Sequence, residues 1–209
     1  MHNRSLVLAT RNPGKITEFK KLLSGFDIEI KSLADFGPIP QVVEDGATFD
    51  DNAYKKAHFT AKVLGLPALA DDSGLIVDAL GGAPGVRSAR YAGASATDAE
   101  NIQKLLADME GVMDRKAVFE AVIIIAVPRG PALTYEGRCE GEITHAVMGE
   151  NGFGYDPVFY YPPLKKTFAQ MSPEEKNRVS HRGKAMSEIR DEFDKIMIWL
   201  QNRLAEEPA

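Results

Sequence analysis

Hydrophobic positions along the chain follow two periods, and the places where one gives way to the other outline its elements. Residues 5–10 read as a buried strand, after which Ile16, Phe19, Leu22 and Leu23 recur at helical spacing. The change of period falls on the turn Asn12-Pro13-Gly14-Lys15. Residues 27–33 alternate as a second strand. Residues 48–64 predict a helix with Phe49, Ala53, Ala57, Thr60 and Leu64 on one side, opened by Thr48 and Asp51 at capping-box spacing. Residues 68–72 and 74–80 predict two short strands around a break, and the GGAPG segment at 81–85 predicts a loop. Residues 98–109, capped by Thr97, place Ile102, Leu105, Leu106 and Met109 on one helical face. Residues 116–127 predict the longest strand, with 132–138 pairing beside it after a turn at 128–131. Ser172-Pro173-Glu174-Glu175 reads as a helix start, with Pro at the first helical position and Glu175 at the third. A last helix over 182–203 carries Ala185, Ile189, Phe193, Ile196 and Leu200, and the AEEPA ending predicts a frayed tail. Strands and helices interleave irregularly around a hairpin-like centre, so an α/β fold with a mixed sheet fits better than a regular βαβ array. No repeat or linker divides residues 1–209, which read as one domain.

Composition narrows the class. At 209 residues, 44% hydrophobic and 26% charged, the chain suits a soluble globular protein with a substantial core. Its longest apolar run, AVIIIAV at 121–127, is far shorter than the about 20 residues of a membrane-spanning helix. The N-terminal segment lacks the apolar core of a signal peptide, so the expected location is the cytoplasm. Cys139 is the single cysteine, which excludes an intramolecular disulfide and a multi-thiolate metal site. A net charge of -5 argues against general affinity for nucleic acid or an anionic membrane, while leaving room for a small anion held by local cations.

Five segments carry candidate chemistry. The opening turn is not a Walker A loop, because Ile16 follows Gly14-Lys15 and Ala9 stands five positions before Gly14. Helix N-terminal amides and Lys15 still favour an anion there, with Thr10 and Asn12 as neutral hydrogen-bonding partners. An ordinary strand-to-helix turn with an exposed lysine is the alternative. In Ala70-Asp71-Asp72-Ser73-Gly74, carboxylates at the end of a buried strand are costly unless cations or hydrogen bonds compensate them. Alternation lets only one of Asp71 and Asp72 face a given cleft, and a self-capping Asp-Ser turn is the alternative. Glu44, just before the helix at 48–64, could join Asp72 in a magnesium site, since Mg²⁺ takes one or two carboxylates with water and phosphate oxygens. In Gly152-Phe153-Gly154-Tyr155-Asp156-Pro157, the glycine spacing is wrong for dinucleotide binding; an aromatic there either stacks on a base or pins the loop. Lys176 lies early in its helix, against the dipole preference, which suggests an external anion; Ser180-His181-Arg182-Gly183-Lys184 opens the final helix with positive charge.

Together these segments resemble the inosine triphosphate pyrophosphatase (Ham1-like) family over nearly the whole chain. The resemblance is carried by TRNPGK at 10–15, TFDDNA at 48–53, ADDSGLIVDALGGAPGVRSARY at 70–91, FGYDP at 153–157 and SHRGKA at 180–185. The chain has Arg11 where bacterial members often carry Gly, and Asp51 where Glu is usual. The resemblance implies a two-lobed α/β fold around a long mixed β-sheet with flanking helices and the active site in the cleft between lobes, usually as a homodimer. It implies hydrolysis of ITP, dITP and XTP to the monophosphate and pyrophosphate, cleansing the nucleotide pool, with Mg²⁺ as cofactor. By the same resemblance Asp72 is the catalytic residue and, with Glu44, a metal ligand. Thr10, Arg11, Asn12, Pro13, Gly14, Lys15, Ser73, Phe153, Gly154, Tyr155, Asp156, Lys176, His181 and Arg182 would bind substrate. Three rivals remain: a pyrophosphatase for other nucleotides, an aspartate-nucleophile phosphatase, and a nucleotide sensor without turnover.

Overall fold

The structure, a computed structural model, describes residues 5–205. Its described residues form a seven-stranded mixed sheet flanked by helices, in the order β2-β1-β3-β4-β5-β6-β7. The strands are β1 (Ser5–Leu8), β2 (Glu29–Ser32), β3 (Ala68–Val77), β4 (Lys116–Ala126), β5 (Ala132–Ile143), β6 (Phe159–Tyr161) and β7 (Lys166–Thr167). The α-helices are α1 (Pro13–Leu22), α2 (Phe49–Leu64), α3 (Asp98–Asp108), α4 (Pro173–Val179), α5 (His181–Asp191) and α6 (Phe193–Ala205). Strand β1 pairs in parallel with β2 and β3, whereas β6 runs antiparallel to both β5 and β7.

The chain folds into two compact units. The first takes the segment ending at Asp72, then Val122–Tyr135, then the segment from Ala185; the second takes Ser73–Ala121 and Glu136–Lys184. In the first, Leu6, Leu8, Leu69, Ile123 and Ile125 of the strands bury against Phe19 and Leu22 of α1 and Met186, Ile189, Ile196 and Leu200 of α5 and α6. In the second, Leu75, Phe119, Cys139, Ile143 and Phe159 bury against Ile102 and Leu105 of α3, with Phe168 and Met171. Each set is drawn from several strands and helices, as a single hydrophobic core requires.

Local signals set the helix starts. Thr48 Oγ1 accepts from Asp51 N at 3.1 Å while Asp51 Oδ2 accepts from Thr48 N at 3.1 Å, so the shorter Asp closes the box at the start of α2. Thr97 with Glu100, and Ser172 with Glu175, do the same for α3 and α4. Cys139 is a small buried residue of β5, and burial pushes its thiol up to about 11.

Three expectations are corrected. The break in the Asp71-Asp72-Ser73 segment is absent: β3 runs unbroken for ten residues, because cations compensate both carboxylates and no self-capping turn is needed. Strand β5 continues past residue 138 to Ile143, its inward positions being Cys139 and Gly141, too small to register as an apolar stripe. The final helix is two, interrupted at Glu192, where the Tyr135 hydroxyl donates to Glu192 Oε2 at 3.4 Å and Phe193 stacks on Phe26 at 3.9 Å. Of the predicted tail, Ala205 ends α6 and residues 206–209 lie outside the described residues.

The corner between α4 and α5 delivers His181 and Arg182. Ser180 leaves the helical region there, with φ -68° and ψ 157°. A Cβ on Gly183 would lie 1.8 Å from the Asn177 carbonyl oxygen, a backbone atom that cannot swing aside. Gly183→Ala is therefore expected to destabilise the protein by about 2 kcal/mol, the scale of overpacking in a tight site. Urea unfolding followed by circular dichroism checks this; an unchanged midpoint would show that the corner tolerates a methyl group.

Candidate active site

In the first unit, β1 ends at Leu8 and the chain turns through Thr10-Arg11-Asn12 into α1. Asn12 is the N-cap, its Oδ1 accepting from Lys15 N at 3.1 Å, and Pro13 takes the first helical position. Thr10 Oγ1 accepts from Asn12 N at 3.2 Å. Exposed Arg11 donates from Nη2 to the Ile39 carbonyl at 2.7 Å, tying the turn to the loop that carries Glu44. Gly14 is half-buried, and Lys15 reaches from the first turn to Asp71, Nζ to Oδ2 at 2.6 Å.

Strand β3 brings Asp71 and Asp72 to the same place, both buried. Lys56 of α2 places Nζ 2.8 Å from Asp72 Oδ1, 3.0 Å from Glu44 Oε2 and 2.9 Å from the Asp71 carbonyl oxygen. One turn earlier on α2, fully buried Asn52 donates from Nδ2 to Asp72 Oδ2 at 3.3 Å and accepts through Oδ1 from Gly46 N at 2.8 Å. Glu44 and Asp72 thus meet on one cation. Burial pushes the Asp72 carboxyl above its ordinary value, against the pull of Lys56. Burial also opposes the charge on Glu44, but Lys56 and Lys15, with a hydrogen bond to Asp72, together hold that carboxyl below its ordinary value. Burial likewise opposes the Lys56 charge, yet Asp72 and Glu44 raise its ammonium above the ordinary value.

Two carboxylate oxygens and a backbone carbonyl oxygen around one positive charge are hard donors of the kind Mg²⁺ accepts, alongside water and phosphate oxygens. Among the described residues, no three His, Cys, Asp or Glu side chains gather for a metal, so an ion here would draw its other ligands from elsewhere.

The second unit gathers the remaining candidates. Asp156 Oδ2 accepts from Phe153 N at 3.0 Å and from Lys176 Nζ at 2.7 Å, both groups of that ion pair being buried. Lys176 Nζ lies 4.7 Å from the centre of the Phe153 ring, and the Arg182 guanidinium 5.6 Å from it. Buried Arg182 also donates from Nη2 to Ser73 Oγ at 2.9 Å. His181 stacks on Phe119 at 4.6 Å and 10°. Gly154 N donates to Asp98 Oδ2 at 2.7 Å, and the Tyr155 hydroxyl to the Ser88 carbonyl at 2.8 Å, so Tyr155 pins the loop to the core. A side chain at Gly152, whose φ is +82°, would place Cβ 2.0 Å from Asp156 Oδ2; glycine there keeps the carboxylate available to Lys176. The chain crosses between the units at the Asp72-Ser73 bond.

Sequence reading missed Lys56, Asn52 and Asp98. A signal for the first two was present: Asn52 and Lys56 are polar residues four apart on a helix whose neighbours Phe49, Ala53 and Ala57 are buried. Asp98 looked like an ordinary acid in a first helical turn, and nothing in its spacing marked it.

A family model described as the Ham1 family matches residues 6–192. The chain is 62% identical over 207 residues to a protein of Syntrophobacter fumaroxidans named dITP/XTP pyrophosphatase, covering 99% of this chain and 89% of that one. A protein of the same name from Desulfotalea psychrophila is 61% identical, covering 97% and 91%. Among solved structures, a HAM1 protein from Coxiella burnetii superimposes with a TM-score of 0.85 at 45% identity, covering 91% of this chain and 98% of that one.

Removing Lys15 would deprive a fully buried carboxylate of its ion pair. Lys15→Met is expected to cost about 3 kcal/mol in unfolding free energy, as for a broken buried pair. Chemical denaturation measures it, and a cost below about 1 kcal/mol would place the pair among exposed bridges instead.

Proposed function

We infer the function from one premise, that the chain belongs to the Ham1 family. It hydrolyses deaminated purine nucleoside triphosphates, ITP, dITP and XTP, to the nucleoside monophosphate and pyrophosphate. Removal of these nucleotides keeps them out of DNA and RNA. The observation that carries the site assignment is the meeting of Glu44 and Asp72 on a single cation, with Lys15 held beside them by Asp71.

The first unit supplies the phosphate chemistry. Lys15 presents its ammonium to the triphosphate, and Thr10, Arg11, Asn12, Pro13 and Gly14 shape the turn that admits it. Reaction at the α-phosphorus needs charge neutralisation and alignment more than covalent help from the protein. Asp72 and Glu44 would hold Mg²⁺, which when bound would supply positive charge against the phosphate oxygens and lower the pKa of a bound water. Asp72 orients the attacking water and takes its proton, while Asn52 fixes the carboxylate through Oδ2.

The second unit supplies recognition. Phe153 offers a face for stacking, Lys176 adds a cation, and His181 and Arg182 provide donors. Ser73 contacts substrate next to Asp72 in the chain. Gly154, Tyr155 and Asp156 hold the loop that carries Phe153. A 6-oxo base offers an acceptor to fixed donors, whereas adenine offers a 6-amino donor that would stand unmatched. The active form is a cytoplasmic homodimer. No helix among the described residues is long and apolar enough to cross a membrane.

Two outcomes test this reading. Pyrophosphate release is measured from ITP, dITP, XTP, GTP, ATP and dTTP at equal concentration, with Mg²⁺ and with chelator. Metal-dependent pyrophosphate from the inosine and xanthine nucleotides is expected, with ATP disfavoured by about 10⁴. Orthophosphate as the product would point to a phosphatase, and binding without turnover to a sensor. Asp72→Asn is expected to remain folded, with a lowered thermal transition because the Lys56 ion pair is lost, while lowering kcat by at least about 10²; near-normal turnover in the folded variant would remove Asp72 from the mechanism.

A further inference from the structure

Lys56 stands where a metal ion would be expected. Its ammonium takes up both proposed metal carboxylates, Glu44 Oε2 and Asp72 Oδ1, and the Asp71 carbonyl oxygen, within 2.8 to 3.0 Å. The side chain is 12% exposed and rooted on α2 one turn from Asn52, which fixes the other oxygen of Asp72. We propose that Lys56 is an internal counter-ion: it holds the metal-binding oxygens assembled in the resting protein, and a divalent ion must displace it to enter. This rests on the assignment of Glu44 and Asp72 as metal ligands.

The argument is one of charge and space. Glu44 and Asp72 carry two negative charges, of which Lys56 neutralises one, while Lys15 is paired with Asp71. A divalent ion bound to the same oxygens with the ammonium in place would put two cations in contact at a buried site, where their repulsion is poorly screened. Without Lys56, the two carboxylates would be left with weaker compensation from Lys15, which is already paired with Asp71, an arrangement that costs stability. The lysine therefore stabilises the empty site and opposes its filling by a free ion. A polyphosphate changes the balance, because it brings the divalent ion and offers the released ammonium new oxygen acceptors. By linkage, nucleotide and ion then tighten each other's binding. The protein would bind free Mg²⁺ weakly and the metal–nucleotide complex more tightly.

The test reads metal binding, not turnover. Mn²⁺ is titrated into the nucleotide-free protein and its free fraction followed by electron paramagnetic resonance. Lys56→Gln is expected to tighten Mn²⁺ binding by about tenfold, within the usual range of coupling between sites. The gain should vanish in Lys56→Gln/Asp72→Asn and be absent in Lys56→Arg, which keeps the charge. Mn²⁺ binding that is lost in Asp72→Asn but unchanged or weakened in Lys56→Gln overturns the counter-ion role and leaves the metal assignment standing. Binding indifferent to Asp72→Asn overturns both. Should Lys56→Gln fail to fold, acylation of Lys56 in the wild-type protein decides, followed by mass spectrometry across a Mg²⁺ titration. Labelling should rise as Mg²⁺ saturates its site, and constant protection at saturation overturns the proposal.

Discussion

The first unit is organised around one constraint: two consecutive carboxylates lie inside a strand. Asp71 and Asp72 are buried in β3, where an uncompensated charge would cost several kcal/mol. Successive strand residues point to opposite faces, so one cation cannot serve both side chains through the same approach. The fold answers with two lysines on two helices, Lys15 from the first turn of α1 and Lys56 from the start of the third turn of α2. Both helices are thereby tied to β3 by electrostatics as well as by packing. Capping of α1 by Asn12 follows from the same need, because the cap sets where Lys15 points. The strand stays extended through Ser73 because its charges are met from outside and need no turn.

The second unit solves the converse problem. Lys176 and Arg182 are buried cations: Asp156 accepts from Lys176, the hydroxyl of Ser73 accepts from Arg182, and the face of Phe153 lies near both. A ring face attracts a cation more weakly than a carboxylate does. Such a cluster holds its donors in place before a ligand arrives, and preorganisation of this kind lowers the cost of binding. The asymmetry matters for chemistry. The carboxylate-rich side favours a metal ion, and the cation-rich side favours groups that accept hydrogen bonds.

What the sequence disclosed and what it hid differ by range of interaction. Helix caps at Thr48, Thr97 and Ser172 were legible because the groups involved lie within four residues of one another. The mixed sheet was legible from the irregular interleaving of periods. Continuity of β3 was not, because Asp-Asp-Ser favours a turn unless Lys15 and Lys56, far away in sequence, compensate it. Lys56 itself was hidden because a lysine on a helix is usually solvated. Only the burial of its helical neighbours shows that it is not. The interruption at Glu192 depends on Tyr135 and Phe26, which no local pattern connects to it. Local chemistry thus announced the elements, while the site emerged from contacts across long stretches of chain.

On the proposed assignment, base selection would follow from the character of the cation-rich cluster. Arginine has only donors, and a lysine ammonium likewise, so their natural partners are carbonyl oxygens and ring nitrogens bearing lone pairs. Hypoxanthine and xanthine present an oxygen at C6, and adenine an amino group that would meet donor with donor. The mismatch leaves buried polar groups unsatisfied, a far larger penalty than any loss of apolar contact. On the same assignment, stacking on Phe153 would add affinity without choice, since every base has a π-face. Guanine carries the same 6-oxo group as hypoxanthine and differs by an amino group at C2. Donors that read C6 therefore treat the two alike, and rejection of GTP must act at C2, through shape or an unmatched donor. Discrimination against ATP and against GTP accordingly has separate physical origins, so one can be lost while the other persists.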